Sequence, residues 1–257
     1  MIEFLIKKPY LSLKKIRPLN YNIFWHKSNM TSQNTKNQNK TSVYFIPGMA
    51  ANTRIFERIH LDEDLYQIHY IEWLEPIKNE SLHEYSQRIS REITAENPVL
   101  VGVSFGGIVA QEIARMITVK QVIIISSIKN SHELPAYFKW VNRTHLYKIF
   151  PNQLTWKALD LYARITPDKK LKNRIKAYDK YLTVRSNNYL RWCLKTLAQW
   201  QNETEIENIV HIHGKKDHIF PYDLIKNAII VENADHALVL TKATWLNQRL
   251  HQIILDQ

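Results

Sequence analysis

Short apolar runs rich in β-branched residues alternate with longer helical patterns from residue 43 onward. The six candidate strands are residues 43–46, 66–71, 99–103, 122–126, 210–213 and 229–231. Apolar residues recur at spacings of three and four in residues 82–96, 106–117 and 242–255, which indicates helices. Strands that are apolar on both faces and alternate with helices are typical of a covered parallel sheet. The pattern predicts a doubly wound α/β fold with a mostly parallel sheet of about six strands.

The alternation stops between residues 129 and 200. This segment has helical periodicity but no strand candidate, and it holds four of the seven tryptophans. A connection between a strand and a helix is usually far shorter. We therefore predict that residues 129–200 form an α-helical cap inserted into a domain that spans residues 43–257.

Residues 28–42 are polar and lack apolar periodicity, which is typical of a flexible linker. Together with the basic stretch before them, residues 1–42 are predicted to be a flexible N-terminal extension. Two interpretations of residues 1–29 stay open. They form an arm that touches a membrane or a partner, or they lie outside the native protein because translation starts at Met30.

The net charge of +11 is unevenly distributed. Residues 1–40 carry +7 and the predicted cap carries +11, whereas residues 41–128 and 201–257 carry −4 and −3. A basic cap can attract an anionic substrate or a membrane surface, but basic runs are also common on solvated helix faces. Both interpretations stay open.

The chain offers no sign of secretion or membrane insertion. Its single cysteine, Cys193, cannot form an internal disulfide and is expected to pack in a helix. The apolar run at residues 2–6 is too short for a signal peptide, and no segment approaches 18 apolar residues. We predict a cytoplasmic protein without an integral membrane segment.

The sequence Gly102-Val103-Ser104-Phe105-Gly106 lies between a candidate strand and a candidate helix. A serine on so tight a turn has a strained backbone, and the residues two positions away must be small. All five glycines of the chain adjoin the ends of candidate strands, so we expect them where the backbone needs them. The motif favours a nucleophilic serine, while a plain glycine-rich turn is the alternative.

On this motif and its strand–turn–helix setting, the chain resembles the α/β-hydrolase family from residue 41 to the C-terminus, apart from the cap. The resemblance implies that Ser104 is the nucleophile and that the Phe105 backbone N–H is one oxyanion donor. The family's second donor usually follows a His-Gly pair. Here Pro47 replaces that histidine and precedes Gly48, and the resemblance implies the Met49 N–H.

The same resemblance implies the other two catalytic residues. Asp217 follows Gly214 in a motif similar to the family's acid loop, and Asp223 and Asp235 are its rivals. The family's alternative acid position holds Ser126 and Ser127, which cannot serve as the acid.

Position selects His236 as the base among eleven histidines, because it follows the last strand and precedes the last helix. We expect His213 and His218 to be structural or to support the site, and His251 to lie on the surface. The short separation of Asp217 and His236 predicts that a helix between the last two strands is reduced to a turn near residues 222–226.

These residues predict a serine esterase or thioesterase, within the hydrolases of ester bonds, that needs no metal or other cofactor. Its partner would be a small acyl substrate, either anionic or apolar, and no nucleic-acid motif is present. Aromatic residues of the cap line an acyl pocket or pack the cap onto the core: Tyr137, Phe138, Trp140, Tyr147, Phe150, Trp156, Trp192 and Trp200. Two other classes stay open, a hydrolase-like binding protein without turnover and a binder of nucleic acid or anionic membranes.

Overall fold

The computed structural model describes residues 40–149 and 180–256, which belong to one compact unit that begins at Lys40. Its six strands form a single sheet in the order β2-β1-β3-β4-β5-β6, and all neighbours are parallel. The strands are β1 Thr41–Ile46, β2 Tyr66–Tyr70, β3 Val99–Val103, β4 Gln121–Ile125, β5 Ile209–Gly214 and β6 Ile229–Val231. The predicted α/β fold with a parallel sheet of six strands is confirmed.

The described residues form six α-helices, joined by loops and short 3-10 turns. The helices are α1 Leu82–Ser90, α2 Phe105–Ala114, α3 Ala136–Thr144, α4 Asn187–Gln199, α5 Leu238–Thr241 and α6 Ala243–Leu255. The 3-10 turns are Thr53–Phe56, Ser131–Glu133, Leu146–Lys148 and Tyr222–Leu224. The last of these confirms the turn predicted in place of a helix between β5 and β6. None of the helices in these two stretches is long and apolar enough to cross a membrane.

Alternate residues of the central strands point into two separate apolar layers. In β1, Tyr44 and Ile46 belong to a layer with buried residues of α1, α2 and α4. Val43 and Phe45 belong to the opposite layer, together with residues of α6. Because successive side chains of a strand point to opposite faces, a strand covered on both sides must be apolar throughout. The uniform burial of β3 and β4 follows from this arrangement.

Several predicted boundaries differ from those of the structure, and two of them change how a neighbouring segment is assigned. Helix α1 ends at Ser90, although the helical pattern continues to residue 96. The chain turns there because the Thr94 and Ala95 N–H groups donate to the Tyr44 hydroxyl, and Asn97 takes a left-handed φ of 48°. Strand β1 begins at Thr41, so residues 41 and 42 are strand rather than linker. The rest of the predicted extension lies outside the described residues.

The two ends of the predicted cap lie side by side. The Asn202 side chain donates to the Lys129 carbonyl over 2.9 Å, and the Asn202 carbonyl accepts from the Ser131 N–H over 2.8 Å. The Arg115 guanidinium donates to the Asn202 side-chain oxygen over 2.9 Å and so ties both ends to the end of α2. Within residues 129–149 and 180–200 the structure has helices and no strand, while residues 150–179 lie outside the described residues.

Candidate active site

Three polar side chains meet at the carboxyl ends of the parallel strands. Ser104 follows β3, Asp217 follows β5 and His236 follows β6. His236 Nε2 lies 2.9 Å from Ser104 Oγ, and His236 Nδ1 lies 2.8 Å from Asp217 Oδ2. Because an ionised carboxylate can only accept, Asp217 holds the Nδ1–H tautomer and leaves Nε2 free to accept a proton from Ser104. The structure therefore brings together the three side chains that the sequence selected.

Ser104 has the unusual backbone conformation φ 53°, ψ −120°. This backbone conformation costs a residue with a Cβ about 1–3 kcal/mol, and it persists only where surrounding contacts stabilise it. Three hydrogen bonds do so here, and one of them runs from the Gly107 N–H to the Ser104 carbonyl over 2.9 Å. The Ser104 N–H donates to the Ile125 carbonyl over 2.9 Å, and Ser127 Oγ donates to the Ser104 carbonyl over 2.7 Å.

The glycines around this turn serve close packing rather than unusual dihedral angles. A Cβ on Gly102 would overlap the backbone of Gly106 and Gly107, and one on Gly106 would overlap the carbonyl of Pro47. No glycine has a positive φ, and that conformation is taken instead by Ser104, Asn97 and six other non-glycine residues of the described chain. Lack of space thus requires glycine at four of the five positions, as expected, whereas a Cβ on Gly48 would lie at an ordinary 3.4 Å from Ser104 Cβ.

The Asp217 carboxylate is buried and fully used. Oδ1 accepts from the Ile219 N–H over 2.8 Å and from the Phe220 N–H over 3.0 Å, while Oδ2 faces His236. Burial alone would raise the pKa of Asp217, but the adjacent His236 and His213 rings and the Phe220 N–H outweigh it and lower that pKa. Asp217 is therefore ionised over the range in which His236 titrates.

A second histidine supports this carboxylate. His213 Nε2 lies 2.9 Å from the Phe220 carbonyl, which can only accept, so Nε2 carries the hydrogen. The same nitrogen is 3.6 Å from Asp217 Oδ2. Burial lowers the pKa of His213, so the ring is neutral and its Nδ1 accepts from His211 Nε2 over 3.2 Å. His213 thus has the supporting position expected from its place in β5.

His236 is half-buried, with 27% of its side chain accessible. Partial burial lowers its pKa, but the charge of Asp217 and the hydrogen bond to it have the larger combined effect and raise that pKa above 6.5. The Phe220 ring contacts the imidazole edge-on, with centroids 5.6 Å apart. The imidazole ring of His236 thus lies between the Phe220 ring and the Asp217 carboxylate.

The two implied oxyanion donors lie beside Ser104. Phe105 is its neighbour in the chain, and a Cβ added to Gly48 would be 3.4 Å from Ser104 Cβ. Across residues 40–149 and 180–256, neither the Met49 nor the Phe105 N–H donates to a backbone carbonyl. The role of these two N–H groups as oxyanion donors stays a prediction.

The hydrogen bond to His236 Nδ1 goes to Asp217 rather than to either rival acid. Asp223 is exposed, and Asp235 accepts from the Ala237 N–H over 3.1 Å. The expectation of a surface position for His251 was wrong, because its Nδ1 is 3.2 Å from the Tyr66 hydroxyl and its ring is half-buried. Cys193 is buried in α4 as expected, and burial raises the pKa of its thiol.

The aromatic residues of the predicted cap divide into buried and exposed groups. Trp140 is 58% exposed and Tyr137 is 40% exposed, whereas four others are buried: Phe138, Tyr147, Trp192 and Trp200. Phe150 and Trp156 lie outside the described residues. Over those residues, no group of three or more histidine, cysteine or acidic side chains is arranged to hold a metal ion.

Sequence reasoning missed two residues that hold this site. Ser127 was considered only as a failed acid, yet it fixes the Ser104 carbonyl. Trp73 was not considered, yet its indole Nε1 donates to the Gly48 carbonyl over 3.0 Å. Neither residue belongs to a local motif, and both act on residues distant in the chain.

Comparison with known proteins places this geometry in a common fold. The model of an uncharacterised protein family, UPF0227, matches residues 50–150. Comparison with curated protein sequences found no match.

Solved structures share the architecture at low sequence identity. The non-heme bromoperoxidase candidate BpoC from Mycobacterium tuberculosis is 14% identical with a TM-score of 0.64, over 86% of this chain and 94% of that one. A bromoperoxidase from Bacillus anthracis is 15% identical with a TM-score of 0.60, over 85% and 92%. The esterase EaEST from Exiguobacterium antarcticum is 15% identical with a TM-score of 0.58, over 83% and 91%. The chain therefore has the α/β-hydrolase fold.

Proposed function

We propose that this chain, which has the α/β-hydrolase fold, is a serine hydrolase that cleaves a carboxylic ester or thioester through an acyl-enzyme. The observation that carries the proposal is the continuous hydrogen-bonded chain from Ser104 Oγ through His236 to Asp217. A serine in this arrangement is activated by the adjacent base, and the base is oriented by the acid.

The reaction proceeds in two balanced steps. His236 Nε2 takes the Ser104 proton as Oγ attacks the substrate carbonyl carbon, and the Met49 and Phe105 N–H groups stabilise the oxyanion. The tetrahedral intermediate then collapses, and His236 gives the proton to the leaving alcohol or thiol. Water repeats the sequence on the acyl-enzyme, with His236 as base, and releases the carboxylic acid.

Asp217 stabilises the imidazolium that forms in each step and does not itself take the proton. The chemistry uses no metal ion or organic cofactor. The substrate is a small acyl compound, and the basic residues of the cap favour an anionic or amphipathic one. A cytoplasmic site of action remains part of the proposal.

Covalent labelling tests the proposal directly. We expect a fluorophosphonate probe to label the purified protein, and Ser104→Ala and His236→Ala to abolish labelling and lower ester turnover by roughly 10⁴-fold or more. Ser90→Ala and His60→Ala are matched controls away from the site and should label like the wild type. Para-nitrophenyl esters and acyl thioesters of increasing length would then rank the substrates. A folded wild type that neither labels nor turns over any ester would favour a binding protein without turnover.

A further inference from the structure

The peptide unit between Gly48 and Met49 is held at its oxygen by two donors. The Gly48 carbonyl accepts from the Ala51 N–H over 3.0 Å and from Trp73 Nε1 over 3.0 Å. In a planar trans peptide the C=O and N–H bonds point in opposite directions. Fixing the Gly48 oxygen therefore fixes the direction of the Met49 N–H.

The turn that carries this peptide has a strained backbone. The bond from Ala51 closes a four-residue turn in which Ala50 has φ 65°. A turn with a positive φ at its third residue favours glycine or asparagine, and alanine is strained there by about 1–2 kcal/mol. Contacts from outside the turn therefore help to keep one orientation. The Val184 N–H donates to the Ala50 carbonyl over 3.0 Å, and a further contact reaches the Gly48 oxygen itself.

Trp73 supplies that contact and also touches the other side of the site. Its ring lies 5.9 Å from the Phe105 ring, centroid to centroid, and 5.8 Å from the Tyr189 ring. Phe105 carries the second backbone donor beside Ser104. One half-buried side chain thus contacts both segments that supply oxyanion donors.

We propose that Trp73 is a positioning residue, whose indole N–H aligns the Met49 N–H with the oxyanion of the transition state. The inference rests on the proposed function. Hydrogen bonds to the Gly48 oxygen also polarise the peptide and make its N–H a better donor. The effect belongs to the transition state, because the negative charge develops only there.

The test removes the indole N–H while keeping an aromatic ring. Trp73→Phe is compared with Trp245→Phe, which is a matched control on the opposite face of the sheet. Trp245 lies in α6 and packs, partly buried, against the other apolar layer. Benzothienylalanine at position 73, which replaces the N–H by sulfur in a ring of similar shape, covers the case in which Trp73→Phe fails to fold.

Loss of a direct oxyanion donor costs about 10²–10³-fold in turnover, so loss of its alignment should cost about tenfold. We expect kcat to fall by about tenfold in Trp73→Phe with KM unchanged, and by less than twofold in Trp245→Phe. Affinity for a trifluoromethyl ketone, which forms an oxyanion adduct with the serine, should fall in parallel with kcat/KM.

Two results would overturn the inference, and they have different consequences for the proposed function. If the wild type and Trp73→Phe turn over an ester equally, or if only KM changes, the role of Trp73 is refuted while the serine hydrolase stands. If the folded wild type shows neither labelling nor turnover, the proposed function fails and this inference fails with it.

Discussion

Ser104 keeps its hydroxyl at the tip of a turn by adopting a conformation that favours glycine. Its φ of 53° should therefore cost stability in any variant that keeps a Cβ. We expect Ser104→Gly to be more stable than Ser104→Ala by about 1 kcal/mol, because relief of about 1–3 kcal/mol of strain exceeds the extra chain entropy of glycine. Urea unfolding of the two inactive variants measures the difference. Equal midpoints would show that the turn stores no strain.

The pH dependence of activity follows from the pair of His236 and Asp217. The base must be neutral to accept the serine proton, and its pKa is raised above 6.5 by the carboxylate. Activity should therefore rise with pH through a midpoint above 6.5, which a profile of kcat/KM measures.

Removing the carboxylate charge should move that midpoint in a known direction. In Asp217→Asn, burial is no longer offset by a negative charge, so the pKa of His236 should fall below that of the wild type. The maximal rate should also drop by about 10⁴-fold, as found for this change in a serine protease. An NMR titration of the His236 ring reads the pKa without activity, with exposed Asp223→Asn as the control. An unchanged or higher pKa would contradict this account of the pair.

At the scale of single residues, the sequence was informative where the signal was local. Ser104 stands in a five-residue motif, and Asp217 and His236 each follow a strand in a recognisable context. Trp73 and Ser127 could not be found this way, because each binds a backbone carbonyl that only the folded sheet brings near. The contacts that hold the site come from tertiary structure, whereas the reactive groups come from motifs.

Among the elements, the junction of the predicted cap and the sheet contains a buried amide. Asn202 is 8% exposed and joins the Lys129 carbonyl to the Arg115 guanidinium. We expect Asn202→Ala to lower the free energy of unfolding by about 1–3 kcal/mol, because it leaves a buried carbonyl without its donor. Asn233→Ala is a suitable control, because Asn233 is exposed and its side-chain oxygen accepts from the Lys216 ammonium. This substitution should change the free energy of unfolding by less than about 0.5 kcal/mol. Chemical denaturation of both variants measures the two free energies of unfolding. Equal decreases in Asn202→Ala and Asn233→Ala would contradict the role of the Asn202 amide.

The misplaced end of α1 shows the limit of periodicity. Residues 82–96 keep apolar positions at helical spacing, and Ile93 and Ala95 do pack against the core. They reach it from a turn that the Tyr44 hydroxyl stabilises, not from a continued helix. An apolar period records which side chains are buried but does not record the backbone path between them.

For the molecule as a whole, the sheet was predictable because its strands are buried on both faces. Strand β3 reads VLVGV and β4 reads QVIII, and such short apolar runs rich in β-branched residues have few other interpretations. The order of the strands could not be obtained from their spacing alone. The strand order depends on which face of the sheet each crossover helix covers, and the spacing of apolar residues does not specify that face.

The outer strand at one end of the sheet, β6, has only three residues, all half-buried. An edge strand exposes unpaired N–H and C=O groups, and a long one can recruit a strand from a neighbouring molecule. A strand this short offers almost no template for such addition. Its brevity therefore limits aggregation at that edge, while its last residues still lead directly into the loop that carries His236.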